Sequence, residues 1–328
     1  MEVNEELLMF GRTIHLSSDE RDDYLKTIIE VSKGPKLPEQ DIISLILAAS
    51  KENSYLVDVG ANIGYISTAM SLIAEKGKVF SFEPTPRIFS YLKTNVKQNK
   101  LKNVNPYNIG LSDKSYKTKI SYGPEAPYGA FISTDYRLFA DDVIYEDIQL
   151  EKLDSIHSKL GITRCDVLKV DIEGHELKFL EGARKFISKF RPVTIIEANP
   201  YCLNIFNRIS LPDFVDKVYK NFPYIFAFDE GRLLDLNESK SRSQFYFENT
   251  VKYKYQNIIC GFDRVELLRI INSAFTDPMN RTTLQINNLV RKNDELTKQN
   301  LEILEKYEKI QSSNSHKIAI KVNKLLKR

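Results

Sequence analysis

An α/β fold, with helices on both faces of a mostly parallel sheet and a long helix at the C-terminus, is what this sequence predicts, and three observations carry the prediction. Leu56-Val57-Asp58-Val59 is a short apolar run that turns through Gly60 and Gly64 directly into a helix, as a buried parallel strand does. Further apolar runs, Lys78-Val79-Phe80-Ser81-Phe82-Glu83, Asp166-Val167-Leu168-Lys169-Val170-Asp171 and Val193-Thr194-Ile195-Ile196-Glu197, are separated by stretches with helical spacing. From Ile286 onward apolar residues recur with a heptad period.

The strand-to-helix turn is where such folds bind nucleotides. Gly60 and Gly64 let the backbone bend tightly and let a ligand lie against bare main chain, while the free N–H groups of the next helix can hold a carboxylate. Nineteen positions after Gly64, Glu83 closes a strand, where a carboxylate can accept both hydrogen bonds of a ribose diol. A dinucleotide fold wants G-x-G-x-x-G; this chain has Gly60-Ala61-Asn62-Ile63-Gly64, which argues against a pyrophosphate. An adenosine joined to an amino acid fits better, with Asp58 facing its ammonium and the helix start its carboxylate. That ligand is S-adenosylmethionine, and Asp58, Gly60, Asn62, Gly64 and Glu83 are the residues expected to hold it.

Val57-Asp58-Val59-Gly60-Ala61-Asn62-Ile63-Gly64-Tyr65, Phe82-Glu83-Pro84 and Lys169-Val170-Asp171-Ile172-Glu173-Gly174-His175-Glu176, in that order, resemble the FkbM family of S-adenosylmethionine-dependent methyltransferases. The resemblance runs from about Tyr55 to Asn199. It implies a seven-stranded, Rossmann-like class I methyltransferase sheet and methylation of hydroxyl groups on small molecules and sugars. It also implies that the adenine lies near Asn108-Ile109-Gly110-Leu111-Ser112-Asp113, with Asn108 or Ser112 at its edge; Ser112-Asp113 reads equally as an ordinary turn.

Element by element, residues 1-50 suggest two or three helices, with Ser18-Asp19-Glu20-Arg21 as a start signal and Gly34-Pro35 as a break. Within them Asp41-Ile42-Ile43-Ser44-Leu45-Ile46-Leu47-Ala48 is apolar at helical spacing. The methyltransferase domain is expected over 51-265. Residues 87–100 read as a helix with Ile88, Tyr91, Leu92 and Val96 on one face. The third strand, 104–110, contains Pro106, which an edge strand tolerates. Between Ser112 and Cys165 the rhythm breaks at Tyr122-Gly123-Pro124-Glu125-Ala126-Pro127-Tyr128-Gly129-Ala130-Phe131, too long for an ordinary connector. Either it is a surface hairpin, or it is a lid on which Tyr122, Tyr128 and Phe131 stack an acceptor. Leu153-Asp154-Ser155-Ile156 begins a helix, and Tyr224-Ile225-Phe226-Ala227-Phe228 with Asn257-Ile258-Ile259-Cys260-Gly261-Phe262 would form a closing antiparallel hairpin.

Asp171 and Glu173 end the fourth strand, on the edge where open α/β sheets place their chemistry. Methylating a hydroxyl requires aligning it with the donor and removing its proton. Asp171, Glu173 and His175 are the catalytic candidates, His175 because an unperturbed imidazole titrates near neutrality. The alternatives are that Asp171 only orients the cofactor or the loop, Glu173 caps or complements the N-terminus of the helix that opens near His175, and His175 is a solvated first-turn residue. Glu197 adds a third carboxyl to this edge; Asp171, Glu173 and Glu197 could together hold a magnesium ion, yet oxygen ligands without a cluster geometry are weak evidence, and no metal is expected.

With 328 residues the chain can bury a full α/β core and still carry appendages. No apolar run reaches the ~18–20 residues of a membrane span, and the acidic start is unlike a secretory signal, so a cytoplasmic protein is expected. Cys165, Cys202 and Cys260 are widely spaced and expected to be reduced and structural. Of the formal net charge of +3, Lys317, Lys321, Lys324, Lys327 and Arg328 supply five positive charges, leaving −2 for everything before them. That near-neutral remainder argues against a nucleic-acid partner.

Residues 266-285 read as a linker and 286-311 as a coiled coil, with Ile286, Asn293, Asn300 and Tyr307 at a and Leu289, Leu296, Ile303 and Ile310 at d. A homo-oligomer is expected, a helix docked on the catalytic domain being the alternative. Over 312-328, Ile318, Ala319, Val322, Leu325 and Leu326 share a face opposite the lysines, a basic amphipathic tail suited to a peripheral contact at the inner membrane face or to a protein partner. The function read from the sequence is thus an O-methyltransferase acting on a sugar, glycan or other small polyhydroxylated acceptor. The rival is an N-methylating or non-catalytic membrane-peripheral scaffold of glycan assembly. A scaffold would be free to lose Asp58, Gly60, Glu83 or Asp171, and all four are present.

Overall fold

The structure, a computed structural model, describes residues 1–34, 37–123, 126–132, 143–229, 231–276, 297–306 and 309, with the backbone alone for 126–128. Its first element corrects the expectation of an all-helical N-terminal segment. Glu2–Met9 (β1) and Arg12–Asp19 (β2) pair as an antiparallel hairpin. Leu7 and Met9, then Ile14 and Leu16, are buried at every second position, the period of a half-buried strand. Phe10 and Gly11 turn between them with φ of 50° and 75°, as a two-residue type I′ turn requires. Two helices follow, Asp23–Ser32 (α1) and Gln40–Ala49 (α2). The cap of α1 is Asp22, whose side chain accepts from the Tyr24 N–H, four residues beyond Ser18.

Tyr55–Val59 (β3), Tyr65–Ile73 (α3), Lys78–Phe82 (β4), Pro86–Gln98 (α4) and Val104–Tyr107 (β5) complete two β-α-β units with parallel strands. β5 is an edge of the main sheet, which is why Pro106 is accommodated there without a missing ladder bond. The hairpin expected over 122–131 is present, and the chain builds it into a second sheet. Gly110–Leu111 (β6), Tyr116–Gly123 (β7), Ala126–Phe131 (β8) and Ile144–Glu151 (β9) lie in the order β6-β9-β7-β8 around Ile120, Ile148 and Leu150. Tyr122 and Phe131 are not a free stacking surface, each being 1% exposed. The Tyr122 hydroxyl is bonded to Glu146, and Phe131 stacks on Phe206 at 3.9 Å. The side chain of Tyr128 lies outside the described residues.

Leu153–Ile156 (α5) is a single turn. Val167–Val170 (β10), Glu176–Gly182 (α6), Arg184–Phe190 (α7) and Val193–Glu197 (β11) return the chain to the main sheet. A π-helical turn, Cys202–Phe206, precedes Leu211–Tyr219 (α8), Tyr224–Asp229 (β12), Arg232–Asp235 (β13), Ser239–Lys252 (α9), Asn257–Gly261 (β14) and Arg264–Thr276 (α10). The main sheet runs β13-β12-β14-β11-β10-β3-β4-β5, with β14 antiparallel to both its neighbours. The expected closing pair is therefore present, but β13 and α9 fall between its strands, and β13 adds an eighth strand where seven were implied.

Apolar layers cover both faces of this sheet, from Phe179, Phe186 and Phe214 on one side to Ile43, Ile46 and Met70 on the other. Residues 264–276, mostly expected as linker, are α10, whose Leu267, Ile270, Ile271 and Ala274 are buried and which packs on α2. Residues 297–306 are helical and expose Leu301, Ile303 and Leu304. The remaining coiled-coil positions and the tail from 312 lie outside the described residues. No described helix is long and apolar enough to cross a membrane.

Candidate active site

The carboxyl ends of β3, β4 and β10 open into one cleft. Of the residues singled out from sequence, Gly60, Asn62, Glu83, Asp171, Glu173 and His175 line it, whereas Asp58, Gly64, Asn108 and Ser112 do not. Gly60 has φ +83°, and a Cβ there would stand 1.8 Å from the Asp171 carbonyl oxygen. Its lack of a side chain thus lets the β3 and β10 ends touch and fixes where Asp171 begins. Gly64, φ +91°, is the N-cap of α3.

Asp58 lies behind the cleft wall rather than on it. Its Oδ2 accepts from the Ser67 hydroxyl at 2.6 Å, and its Oδ1 is 3.8 Å from the Lys169 ammonium, which is 3.1 Å from Asp171 Oδ2. A resident lysine therefore occupies the place in which the sequence reading put a ligand ammonium. Burial raises the Asp58 pKa against the pull of Lys169. Burial disfavours the Lys169 charge, but Asp171, Asp58 and Glu39 together carry its pKa upward. Lys169 is 5% exposed and lines the cleft, so it brings a fixed cation to the site. A lysine inside Val167-Leu168-Lys169-Val170 was the signal for it, since a buried ammonium demands partners.

Glu83, 6% exposed, accepts the Thr85 N–H at 2.9 Å on Oε1 and the Asn62 N–H at 3.1 Å on Oε2. A carboxylate offers about four lone-pair sites, so two remain for a diol. Burial pushes its pKa up to about 7, although those N–H donors favour the charged form. Asn108 spends its amide on the Glu83 and Pro84 carbonyls, both at 2.9 Å. It shapes the turn that presents Glu83 and sits off the cleft wall, away from any adenine edge in the cleft.

Ser112 is buried, its hydroxyl within 2.9 Å of both Asp113 Oδ1 and His175 Nε2. A carboxylate can only accept, so the hydroxyl hydrogen goes to Asp113 and the hydroxyl oxygen receives Nε2–H from His175. The remaining ring nitrogen, Nδ1, is buried and has no partner. Burial, aided by Lys178, lowers the His175 pKa to about 4. His175 is thus a neutral, buried ring, and the solvated first-turn reading of it is corrected. A ring of such low basicity is also poorly matched to take a proton near neutrality.

Glu173, in the left-handed region at φ 52°, accepts from the Cys202 thiol at 2.8 Å. Burial, with the Asp171 charge beside it, carries its pKa to about 7. All three cysteines are free and buried, as expected, and Cys202 supports Glu173 from outside the cleft wall. Glu176, part of the family motif but given no role in the sequence reading, folds the loop by accepting the Ile172 and Gly174 N–H groups, both at 3.1 Å. Burial pushes its carboxyl to about 8 and that of Glu197 well above the ordinary range. Tyr24 and Glu39, hydrogen-bonded to each other, bring the N-terminal segment to the same cleft. Among the described residues no group of three His, Cys, Asp or Glu side chains is arranged to hold a metal.

The chain is similar to several known methyltransferases. The hexuronic acid methyltransferase AglP of Haloferax volcanii is 34% identical over 145 residues, 44% of this chain and 56% of the relative. Methyltransferase sdnD of Sordaria araneosa is 28% identical over 162 residues, 42% of this chain and 62% of the relative. This chain thus covers less than two thirds of either relative's length. Among solved structures, the methyltransferase FkbM of Methylobacillus flagellatus KT superposes with a TM-score of 0.39 at 20% identity, over 55% of this chain and 41% of that one. Residues 58–224, half of the chain, match the model of the methyltransferase FkbM domain, and the chain belongs to the FkbM family of S-adenosylmethionine-dependent methyltransferases.

Proposed function

We propose that this protein methylates a hydroxyl of a sugar, glycan or other small polyhydroxylated acceptor. The observation that carries the reading is the convergence of Glu83, Asp171 and Glu173 on one cleft, a diol acceptor beside two carboxyls at the reactive edge of the sheet. A sugar acceptor is also what the name of the Haloferax volcanii relative describes.

When bound, S-adenosylmethionine supplies a methyl group on a sulfonium, open to in-line displacement by an oxygen nucleophile. In this reading Glu83 holds the ribose, and Asp171, anchored by Lys169 at 3.1 Å, faces the ligand's ammonium where Asp58 cannot. Glu173 takes the acceptor's hydroxyl proton. A carboxyl whose pKa lies at about 7 is half ionised near neutrality and matched to that task, more so than an ordinary carboxylate. The Cys202 thiol at 2.8 Å keeps the carboxylate oriented.

The test is methyl transfer from labelled S-adenosylmethionine to a panel of neutral glycosides and uronates. Glu173→Gln should lower the rate by roughly 10²- to 10⁴-fold with S-adenosylhomocysteine affinity unchanged. Turnover at the wild-type rate would exclude Glu173 as the base, and tight donor binding with no methylated acceptor would favour the scaffold. Self-association through residues 286-311 and a peripheral membrane contact through 316-328 belong to this proposal as well.

A further inference from the structure

His175 is the buried polar group that the methyl-transfer reading leaves without a task. It is 4% exposed and lines the cleft, and its Nδ1 has no hydrogen-bond partner. Leaving a buried acceptor without a partner is unfavourable, so such an atom marks a place for a donor. Its chemistry is fixed from behind. Asp113 takes the Ser112 hydrogen and Ser112 takes Nε2–H, which leaves Nδ1 as a lone pair. The chain behind the ring is itself held in place, because Gly182 of α6 packs so closely that a Cβ there would stand 1.9 Å from the Ser112 carbonyl oxygen.

Position narrows the donor to one part of the ligand. Ser112 follows Gly110 and Leu111, which line the cleft next to Pro84 and the ribose-holding Glu83. A base joined to that ribose extends along this wall. Asp113 is the acidic residue nearest in sequence, but it does not line the cleft and its Oδ1 is engaged by Ser112.

We propose that His175 Nδ1 accepts a hydrogen bond from the 6-amino group of the adenine, making His175 the residue that selects an adenosyl ligand over a 6-oxopurine one. The inference rests on Glu83 holding the ribose in this cleft. His175 then acts as a specificity residue and Ser112 as its positioning residue, setting the tautomer. Low basicity suits this task, since a ring that stays neutral down to about pH 4 remains an acceptor across the physiological range.

The experiment measures dissociation constants by calorimetry for S-adenosylhomocysteine and its inosine analogue, in which a 6-oxo group and N1–H replace the amino group and bare N1. Wild type should favour the adenosyl ligand by about 10- to 100-fold, because the oxo oxygen would face the Nδ1 lone pair. His175→Ala and His175→Gln should each reduce that ratio to within a few-fold of unity, with unchanged melting of the ligand-free His175→Gln protein showing that the fold is intact. Ser112→Ala, which frees the ring tautomer, should shrink the ratio part of the way. A ratio preserved in both His175 variants, or lost in Asp113→Ala while Ser112→Ala keeps it, would overturn the assignment. Failure of wild type to bind either ligand would instead refute the donor site itself.

Discussion

Replacing Gly60 by alanine separates the two things a glycine can provide, and Gly231 supplies the control. Both have positive φ, +83° and +80°, but a Cβ at Gly231 meets nothing within 4 Å, whereas one at Gly60 would be 1.8 Å from the Asp171 carbonyl oxygen and 2.9 Å from its carbonyl carbon. Gly231→Ala therefore carries only the left-handed penalty, about 1–2 kcal/mol. Gly60→Ala carries the same penalty plus an overpacking cost against main chain, about 1–3 kcal/mol, and a backbone atom cannot swing aside as a side-chain tip can. The sum is about 2–5 kcal/mol. At roughly 2–4 °C per kcal/mol for a domain of this size class, melting should fall by several degrees more for Gly60→Ala than for Gly231→Ala. The relief available is a shift of the Asp171 backbone, so S-adenosylhomocysteine affinity should fall with Gly60→Ala and stay unchanged with Gly231→Ala. Equal melting losses in the two variants, or intact ligand affinity in Gly60→Ala, would refute the claim that Gly60 sets the position of Asp171.

The raised carboxyl pKa values predict that the ligand-free protein loses stability as pH rises. Protons held by the folded state up to about 7 at Glu83 and about 8 at Glu176 are released earlier by the unfolded chain, so stability falls from about pH 4.5 and levels off above about 8. Glu83 alone contributes on the order of 3 kcal/mol to that fall; Glu176→Gln should raise melting at pH 8 and leave it unchanged at pH 4. Lys169→Met should destabilise by about 3–5 kcal/mol by leaving Asp58 buried without its cation, and adding Asp58→Asn should recover much of it; denaturant titration showing no recovery would break the pairing argument. The proposed self-association predicts that truncation before Ile286 lowers the mass in light scattering with ligand binding retained, and an unchanged mass would remove the coiled coil.

What was legible in the sequence follows from how local each signal is. β3, β4, β10 and β11 are buried on both faces, so each is a short apolar run bounded by turn formers, and their ends carry Glu83, Asp171 and Glu173 to one edge. The β1-β2 hairpin was missed although Leu7, Met9, Ile14 and Leu16 alternate, because Asn4-Glu5-Glu6 and Ser17-Ser18-Asp19 mask the period with polar residues and mimic helix caps. The second sheet was hidden for a different reason. β7 and β9 pair across more than twenty residues, Tyr116 opposite Leu150, and no local pattern records a partner so distant. At the site, sequence spacing identified groups but not directions. Asp58 and Lys169 sit opposite each other in register on neighbouring strands, so they meet behind the wall, a relation visible only once β3 and β10 are known to pair.

Those directions also account for the charge of the cleft. Asp58, Asp171 and Glu39 share the single cation of Lys169, while Glu173, Glu176 and Glu197 stand within each other's fields with burial disfavouring their charges. Burying Glu83, Glu173 and Glu176, whose pKa values are pushed up to about 7, 7 and 8, is unfavourable for an empty fold, and a cation entering the cleft relieves it by favouring their ionised forms. S-adenosylmethionine carries two positive centres against one carboxylate, and methyl transfer neutralises the sulfonium. On the proposed reaction the same acids would hold the product less strongly than the donor, and a tighter dissociation constant for S-adenosylmethionine than for S-adenosylhomocysteine is the expected result.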